Sequence, residues 1–331
     1  MPVNEDEYND ERFEDEDETQ SLPQGHGRER ISLDDVEPHN KEQSFYHECS
    51  WKTIRLDEVE LGEQLGGGSV GLVHRGKYQG GKVALKTLFN RRVDEALTRE
   101  YVDELLVLSQ LHHPNIVHFY GAGVPPNLFY VMELCQRSLF DLLHHCRRSL
   151  CKNERVKMAL DVSRAMGYLH SRTPPILHRD LKSLNLLLAK EDGPVKLCDF
   201  GLVRTTVTSA GTPAYMAPEL LQDRPFNKSV DVYAFGIVLW EIFSREIPFV
   251  GFEAADIREA VVCGGRPKVP RGDPHEIRQL MCRCWSEDPL QRPPFREIRD
   301  LLQELLRSTA AITEAEGMDS AGDCLDALLH K

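Results

Sequence analysis

The chain has 331 residues, of which 41% are hydrophobic and 28% charged, and its formal net charge is −13. This composition indicates a globular enzyme or binding protein, built as one large domain or as two lobes that share a cleft. It excludes a strongly basic surface for nucleic acid, and no stretch of 18 apolar residues is present that could span a bilayer.

The negative charge is concentrated at the start of the chain. Residues 1–20 contain ten Asp or Glu and one Arg, so they carry −9 of the net −13. A run so poor in apolar residues cannot bury enough surface to offset its ordering entropy. We expect residues 1–50 to form an acidic, disordered tail, which is either a solubilising extension or a regulatory docking segment.

The first residues and the cysteines bear on the compartment. The start of the chain has neither the basic segment nor the apolar core of a signal peptide. The nine cysteines include no CxxC pair, which favours reduced thiols over disulfides or zinc. We expect a cytoplasmic protein, with the nucleus as the alternative location.

Apolar patterning begins near residue 51 and predicts an α+β fold. Residues 59–90 alternate in period two between glycines, which predicts three antiparallel strands. A helix is predicted at 93–111, and two more strands lie in 115–134. From about 137 the pattern is mainly helical, so a small five-stranded antiparallel lobe with one helix precedes a larger, mainly α-helical lobe.

Two segments mark the interior and the end of the helical lobe. Residues 230–243 are apolar almost all round, which predicts a helix buried at the centre of a domain. Residues 295–306 form the last amphipathic helical pattern. We expect 307–331 to be a loosely held tail.

A glycine-rich turn lies between the first two predicted strands. Gly66, Gly68 and Gly71 have the GxGxxG spacing, which also opens dinucleotide-binding folds. Those folds need a helix after the glycines, whereas the sequence that follows the glycines here predicts a strand. The turn is therefore either a plain hairpin or a site where backbone N–H groups approach phosphates.

Lys86 lies in an apolar run of the third predicted strand. A lysine there is an edge-strand surface residue or a buried cation with an anionic partner. Glu104 falls on the same stripe of the next helix as Tyr101 and Leu108, where a carboxylate is costly unless paired. Together, Lys86 and Glu104 could hold the α and β phosphates of a nucleotide.

Three later motifs follow in order: HRDLKSLN at 178–185, DFG at 199–201 and APE at 217–219. With these motifs the chain resembles the eukaryotic protein kinase family, and specifically its tyrosine-kinase-like serine/threonine branch of mixed-lineage and Raf-type kinases. The resemblance covers about residues 51–306. It implies the bilobal kinase fold, with an N-lobe at 51–133, a hinge at 134–136 and a C-lobe at 137–306.

The resemblance implies an enzyme that uses ATP and Mg²⁺, for which Mn²⁺ could substitute, and it assigns roles to residues. Asp180 would orient the substrate hydroxyl, and Asn185 and Asp199 would bind the metal. Lys182, typical of serine/threonine kinases, would reach the γ-phosphate. Thr212 would meet Asp180 and shape the substrate platform. The implied catalytic residues are thus Asp180, Lys182, Lys86, Glu104 and Thr212.

An ATP pocket is implied in the same way. The hinge would bind the base through its backbone, and Met132 would guard the back of the pocket. The implied contact residues are Leu65, Gly66, Gly67, Gly68, Ser69, Val70, Gly71, Val73, Ala84, Lys86, Met132, Glu133, Cys135 and Leu187.

The resemblance also implies structural and regulatory residues. Glu219 and Arg292 would form an ion pair, and Asp231 would hold the backbone before Asp180. An arginine at the position of Arg179 often binds a phosphate on the activation segment, which lies between the DFG and APE motifs. Thr208 is the residue of that segment that best matches the phosphorylated position. The implied partners are a protein substrate with a Ser or Thr acceptor and an upstream activating kinase. A catalytically silent scaffold and a dual-specificity kinase are the alternative functions.

Overall fold

The computed structural model describes residues 51–67, 71–88, 95–124, 127–199 and 212–308, and for 95–100, 103 and 104 the backbone alone. These residues belong to one compact unit. The predicted tail at 1–50 and most of the one at 307–331 lie outside the described residues. The boundaries proposed for the domain and its lobes therefore stay predictions.

The amino-terminal half contains an antiparallel sheet, whose five strands lie within the described residues. It confirms the predicted small β lobe. Its spatial order is β1-β2-β3-β5-β4. The strands are β1 (Val59–Gly67), β2 (Gly71–Tyr78), β3 (Gly81–Leu88), β4 (Phe119–Ala122) and β5 (Phe129–Glu133).

Strand β3 lies between β2 and β5, so both of its edges are paired. Val83 and Leu85 point to one face, where they pack with Phe129 and Val131 in a small core. Because successive side chains of a strand alternate between faces, Ala84 and Lys86 share the opposite face. This alternation is what aims the lysine away from the small core.

The predicted helix of the β lobe is α1 (Glu95–Gln110). Tyr101, Leu105 and Leu108 are buried at a spacing of four and three, which is one face of a helix. The Tyr101 hydroxyl lies 3.0 Å from the carbonyl oxygen of Gly123 and 2.6 Å from that of Phe129. The helix is thereby tied to the ends of β4 and β5.

The remaining described residues form the mainly helical lobe. A small sheet joins β6 (Arg137–Ser138), β7 (Leu186–Leu188) and β8 (Val195–Leu197). A π-helical turn, Asp141–His145, follows β6. The helices are α2 (Lys152–His170), α3 (Pro218–Leu221), α4 (Ser229–Ser244), α5 (Ala254–Val262), α6 (His275–Cys284) and α7 (295–308).

Helix α4 is the centre of this lobe, and every side chain from Val230 to Phe243 is buried. The predicted central helix at 230–243 is therefore confirmed. It packs against α2 and α6 and lies under the turn that precedes α3. Among the described helices, none combines the length and the apolar character needed to cross a membrane.

Candidate active site

Lys86 and Asp199 form an ion pair on the cleft side of β3. Lys86 lies opposite Val73 of β2 and Tyr130 of β5, and its Nζ donates to Oδ1 of Asp199. The Lys86 side chain is 14% exposed and that of Asp199 is 49% exposed. The pair therefore lies at the border between the protein interior and solvent.

The backbone and the charge of Asp199 are both unusual. Its φ is 58°, in the left-handed region that non-glycine residues seldom adopt. Burial by itself would raise the pKa of Asp199, but the charge of Lys86 and its hydrogen bond outweigh burial and lower the pKa. The carboxylate is thus held ionised, in a conformation that costs free energy, as functional residues often are.

Asp180, Lys182 and Asn185 form a second polar cluster. Lys182 Nζ donates to both carboxylate oxygens of Asp180, at 2.9 and 2.8 Å. The side-chain nitrogen of Asn185 donates to the Asp180 carbonyl at 2.8 Å and to its Oδ2 at 3.0 Å. The Asp180 carboxylate is therefore oriented from two sides.

His178 connects the two clusters. Its Nε2 lies 3.1 Å from the carbonyl oxygen of Cys198, and its Nδ1 lies 3.3 Å from the backbone nitrogen of Asp180. Burial lowers the pKa of His178, and a neutral ring with its proton on Nε2 donates to the first and accepts from the second. The backbone of Cys198 also donates to the Asn185 carbonyl at 3.0 Å, so the loop around Asp180 is fixed next to Asp199.

Asp231, at the start of α4, holds the backbone before Asp180. The backbone N–H groups of His178 and Arg179 donate to its carboxylate at 3.0 and 2.8 Å, and His170 Nε2 lies 2.8 Å from it. Burial would raise the pKa of Asp231, but the hydrogen bond and charge of His170 and the other donors lower it overall. Arg179 has a φ of 63°, which this anchoring maintains.

Met132 and Glu133 end strand β5 at the predicted hinge. Met132 lies opposite Ala84 of β3 and lines a small cavity that reaches Asp199. The Glu133 carboxylate accepts from Lys196 Nζ at 2.8 Å, a contact that the motifs did not indicate. Leu187 lies on β7, opposite Ser138.

The glycines of the predicted phosphate-binding turn differ in what surrounds them. A Cβ at Gly66 would meet nothing within 4 Å, whereas a Cβ at Gly71 would lie 2.0 Å from the carbonyl oxygen of Thr87. Gly71 is therefore required by the close approach of β2 and β3, with or without a ligand. Leu65 and Gly67 are exposed on β1. Gly68, Ser69 and Val70 lie outside the described residues.

The two cysteines near the site, Cys135 and Cys198, both have a raised thiol pKa. Burial, and then the charge of Glu133, raise the pKa of Cys135 to about 12. Burial likewise raises the pKa of Cys198 well above its ordinary value. Neither thiolate is populated at neutral pH, as a reactive cysteine requires.

Other predicted residues are placed as follows. Glu219 accepts two hydrogen bonds from Arg292, at 2.5 and 2.9 Å, in a buried ion pair. Thr212 is exposed before the 3₁₀ turn Pro213–Tyr215, and its meeting with Asp180 stays a prediction. Thr208 and the side chain of Glu104 lie outside the described residues, so the phosphosite and the pairing with Lys86 stay predictions.

One buried carboxylate near the site was missed by the sequence reasoning. Glu241 of α4 is fully buried, and it accepts hydrogen bonds from Ser183, which lies between Asp180 and Asn185 in the chain, and from Tyr215. It could have been recognised as the one acidic residue in the second half of the otherwise apolar sequence of the central helix.

Comparisons with known proteins agree with this geometry. Residues 59–302 match the family model described as protein tyrosine and serine/threonine kinase. The chain is 41% identical to the serine/threonine-protein kinase CTR1 of Arabidopsis thaliana, over 76% of this chain and 32% of that protein. It is 38% identical to the dual specificity protein kinase shkC of Dictyostelium discoideum, over 80% of this chain and 55% of that protein.

A third relative is the probable serine/threonine-protein kinase SIS8 of Arabidopsis thaliana, which is 38% identical over 84% of this chain and 28% of that protein. The chain thus spans about a third of the length of the two Arabidopsis relatives and about half that of shkC. The family model, by contrast, covers most of the chain. The chain belongs to the family of protein tyrosine and serine/threonine kinases.

Proposed function

We propose that this chain is a protein serine/threonine kinase, which transfers the γ-phosphoryl group of ATP to Ser or Thr hydroxyls of a protein with the help of Mg²⁺. The observation that carries the proposal is the joining of two clusters, Lys86 with Asp199 and Asp180 with Lys182 and Asn185. They bring together a cation, a metal-binding carboxylate and an oriented acceptor for a proton. Phosphoryl transfer needs these parts in one place.

The described residues fit a nucleotide and a divalent cation. Lys86 supplies positive charge for phosphate oxygens, and its pair with Asp199 lies at the border between the protein interior and solvent. Asp199 offers an ionised carboxylate, and Asn185 turns its nitrogen toward Asp180, which leaves the amide oxygen for a cation. Such hard oxygen ligands suit Mg²⁺, with Mn²⁺ as a substitute. When bound, Mg²⁺ neutralises negative charge on the phosphates.

Asp180 is the residue that faces the substrate hydroxyl in this proposal. Lys182 and Asn185 fix the direction of its carboxylate, so that it can accept or orient the hydroxyl proton. Lys182 has three N–H donors, so its Nζ can bind the γ-phosphate as well as the Asp180 carboxylate. Positioning and charge neutralisation supply most of the rate enhancement in such reactions.

The acceptor residue is Ser or Thr in our proposal. Lys182 and the segment 211–219 resemble serine/threonine kinases, and two of the relatives named above carry that description. A dual-specificity kinase is the second candidate, because shkC carries that description at 38% identity. The two differ in whether tyrosine also receives phosphate.

The regulation and location that we propose follow from the resemblance. Thr208 would be phosphorylated by an upstream kinase, and Arg179 would receive the phosphate through charge-assisted hydrogen bonds. The guanidinium of Arg179 lies 5.5 Å from the ring centroid of Phe226. We propose a cytoplasmic protein, with the nucleus as the alternative.

The test is transfer of radiolabelled phosphate from ATP and Mg²⁺ to a generic basic protein, followed by phosphoamino-acid analysis. We expect phosphoserine and phosphothreonine with the wild type and none with Asp199→Ala. Asp192→Ala is the matched control, because it removes an exposed carboxylate that pairs with Arg148. No transfer by the wild type, even after treatment with an activating kinase, would contradict the proposal, and phosphotyrosine would favour the second candidate.

A further inference from the structure

The loop between α4 and α5 exposes three large apolar side chains. Ile247 is 41% exposed, Phe252 57% and Val250 70%. All three lie within six residues of the chain, whereas exposed apolar side chains of a soluble protein are usually scattered singly. We call these three side chains the loop face. A cluster of this kind indicates a surface that another segment covers.

The backbone of the loop fixes the direction of these side chains. Phe249 has a φ of 58° and Gly251 a φ of 87°. The Val250 N–H group donates to the Ile247 carbonyl at 3.3 Å, and the Phe252 N–H group donates to the Phe249 carbonyl at 3.1 Å. The left-handed conformation is costly for a phenylalanine and persists only where the surroundings impose it. Two successive turns therefore present the loop face to solvent.

The loop is also held from below by the ring of Phe249. This side chain is partly buried and packs against the main hydrophobic core. Its ring meets that of Phe252 edge to face, with the centroids 6.4 Å apart and the planes at 82°. Such aromatic pairs are favourable beyond the area they bury. The exposure of Phe252 is thus a feature of a supported loop.

Acidic side chains border the loop face. Glu246 precedes it and Glu253 follows it, and both are exposed. Asp256, in the first turn of α5, is exposed as well. Within the part of the chain that the structure describes, none of the three carboxylates has an ion-pair partner. The surface therefore fits an apolar segment that carries a cation beside its apolar side chains.

Residues 325–331, which lie outside the described residues, have the sequence LDALLHK. Leu325, Leu328 and Leu329 follow the i, i+3, i+4 spacing, which places three leucines on one face of a helical segment. Amphipathic segments with this spacing are the kind that bind apolar surfaces of folded domains. Lys331 follows the leucines directly after a histidine. The segment therefore matches the loop face in apolar character and in charge.

The connection to this segment is long enough. The described part of α7 ends at residue 308, and residues 309–324 link it to the three leucines. Sixteen residues span at most about 55 Å when extended. A domain of about 260 residues is about 47 Å across, from its expected radius of gyration. Tethering also raises the local concentration of a segment to about 1 mM.

We propose that the loop face is the docking site of residues 325–331 of the same molecule. The three leucines cover the apolar side chains, and Lys331 pairs with the acidic border. Helix α5, which follows the loop face, packs on the turn Pro213–Tyr215. The docked segment therefore lies beside the helix that supports the turn after Thr212. This proposal goes beyond the proposed kinase function and does not depend on it.

The test measures binding of a fluorescein-labelled peptide of residues 322–331, carrying C324S to prevent oxidation, to versions of the whole chain by fluorescence anisotropy. In the wild type the tethered segment competes with the peptide. Leu328→Asp places a charge among the leucines and releases the segment. Ala321→Asp is its matched control, because it adds the same charge within the connecting residues.

We expect Leu328→Asp to bind the peptide about tenfold more tightly than the wild type, since a segment at about 1 mM competes with a peptide of Kd about 0.1 mM. Ala321→Asp should bind it as the wild type does. Adding Val250→Asp to Leu328→Asp should weaken peptide binding at least about tenfold, because an unpaired carboxylate under apolar side chains is costly. Adding Leu290→Asp instead should change binding less than about twofold, since this 86% exposed leucine lies outside the loop face.

The opposite results overturn the proposal. Equal peptide binding by the wild type and Leu328→Asp, or no binding by either, would show that the segment does not dock in the same molecule. Equal effects of Val250→Asp and Leu290→Asp would show that the peptide binds elsewhere. A wild-type dimer in sedimentation that Val250→Asp dissociates would make the loop face an interface between copies instead. These measurements use no phosphoryl transfer, so they stand apart from the test of the kinase function.

Discussion

Single residues of this protein show how the cost of a buried charge depends on its partners. Arg292 and Glu219 are both buried and share two hydrogen bonds, and Arg292 also donates to the Ser286 carbonyl at 2.9 Å. Its guanidinium lies 5.3 Å from the Tyr233 ring centroid. Removing one partner leaves the other charged and without compensation, which is the expensive case.

Glu219→Gln should therefore lower the free energy of unfolding by about 3 kcal/mol, since breaking a buried ion pair costs on this scale. Urea denaturation followed by circular dichroism measures it. The control is Glu297→Gln, which removes the half-exposed partner of Arg283 and should cost less than about 1 kcal/mol. Equal losses for the two variants would show that the buried pair contributes no more than a surface one.

Asp231 predicts a pH dependence of stability. Its pKa in the folded state is below the ordinary value of 3.8, so its contribution is present above pH 3.8 and is lost as pH falls through the folded-state value. Asp231→Asn should cost about 2 kcal/mol at neutral pH, because its amide nitrogen opposes a backbone N–H group. We expect the difference between wild type and variant to shrink only below pH 3.8.

Urea titrations at a series of pH values measure this difference, and the other carboxylates cancel because both proteins contain them. If the difference in the free energy of unfolding between wild type and Asp231→Asn widened on acidification, the pH dependence would be opposite to the predicted one. Such a result would mean that Asp231 is not held ionised by His170 and the backbone of His178 and Arg179.

At the scale of elements, two helix glycines have opposite surroundings. A Cβ at Gly236 of α4 would lie 2.9 Å from the Cβ of Cys284 and 3.2 Å from the backbone nitrogen of Trp285. A Cβ at Gly167 of α2 would meet only the Cβ of Phe295, at an ordinary 3.7 Å. The first glycine lets two buried helices approach, and the second does not.

Gly167→Ala should raise the free energy of unfolding by about 0.5–1 kcal/mol, because alanine has the better helix propensity. Gly236→Ala should lower it by about 1–3 kcal/mol, because the contact with α6 is overpacked. Thermal unfolding of both variants beside the wild type gives the signs. Stabilisation by Gly236→Ala would show that α4 and α6 can separate at little cost.

The elements themselves could be predicted because their signals are local. Period-two alternation predicted β1 to β3, and two further strand-like runs predicted β4 and β5. The apolar character of residues 230–243 on all sides of a helix predicted the buried helix α4. Alternation along β3 also fixes the face of Lys86. These patterns involve residues that are close together in the sequence, so they can be recognised from the sequence alone.

At the scale of the whole molecule, contacts between distant residues were harder to predict. No local signal in the sequence indicated the contact between Lys86 and Asp199, which lie 113 residues apart. Gly71 matched a phosphate-binding motif, but sheet packing alone requires a glycine there. Glu241 belongs to no motif that we identified, and its partners Ser183 and Tyr215 are 58 and 26 positions distant.

The motifs carried long-range information only as an ordered set. Individually, Asp180, Asn185 and Asp199 are ordinary turn residues. Their backbones meet because His178 and the Asn185 carbonyl hydrogen bond to the backbone of Cys198, directly before Asp199. These hydrogen bonds join residues that are distant in the sequence, so they could not be predicted from a single sequence. How the site is assembled was seen only in the structure.

The most direct test of the proposed site is the kinetics of Asp180→Asn with Mg²⁺, ATP and a basic protein acceptor, beside the surface control Asp192→Asn. Our account predicts that kcat falls by about 100-fold or more, because the variant cannot take the proton of the acceptor hydroxyl. KM for ATP should stay within about threefold, since Asp180 serves the acceptor in this account. A variant that keeps kcat within a factor of two of the control would contradict the assignment of Asp180.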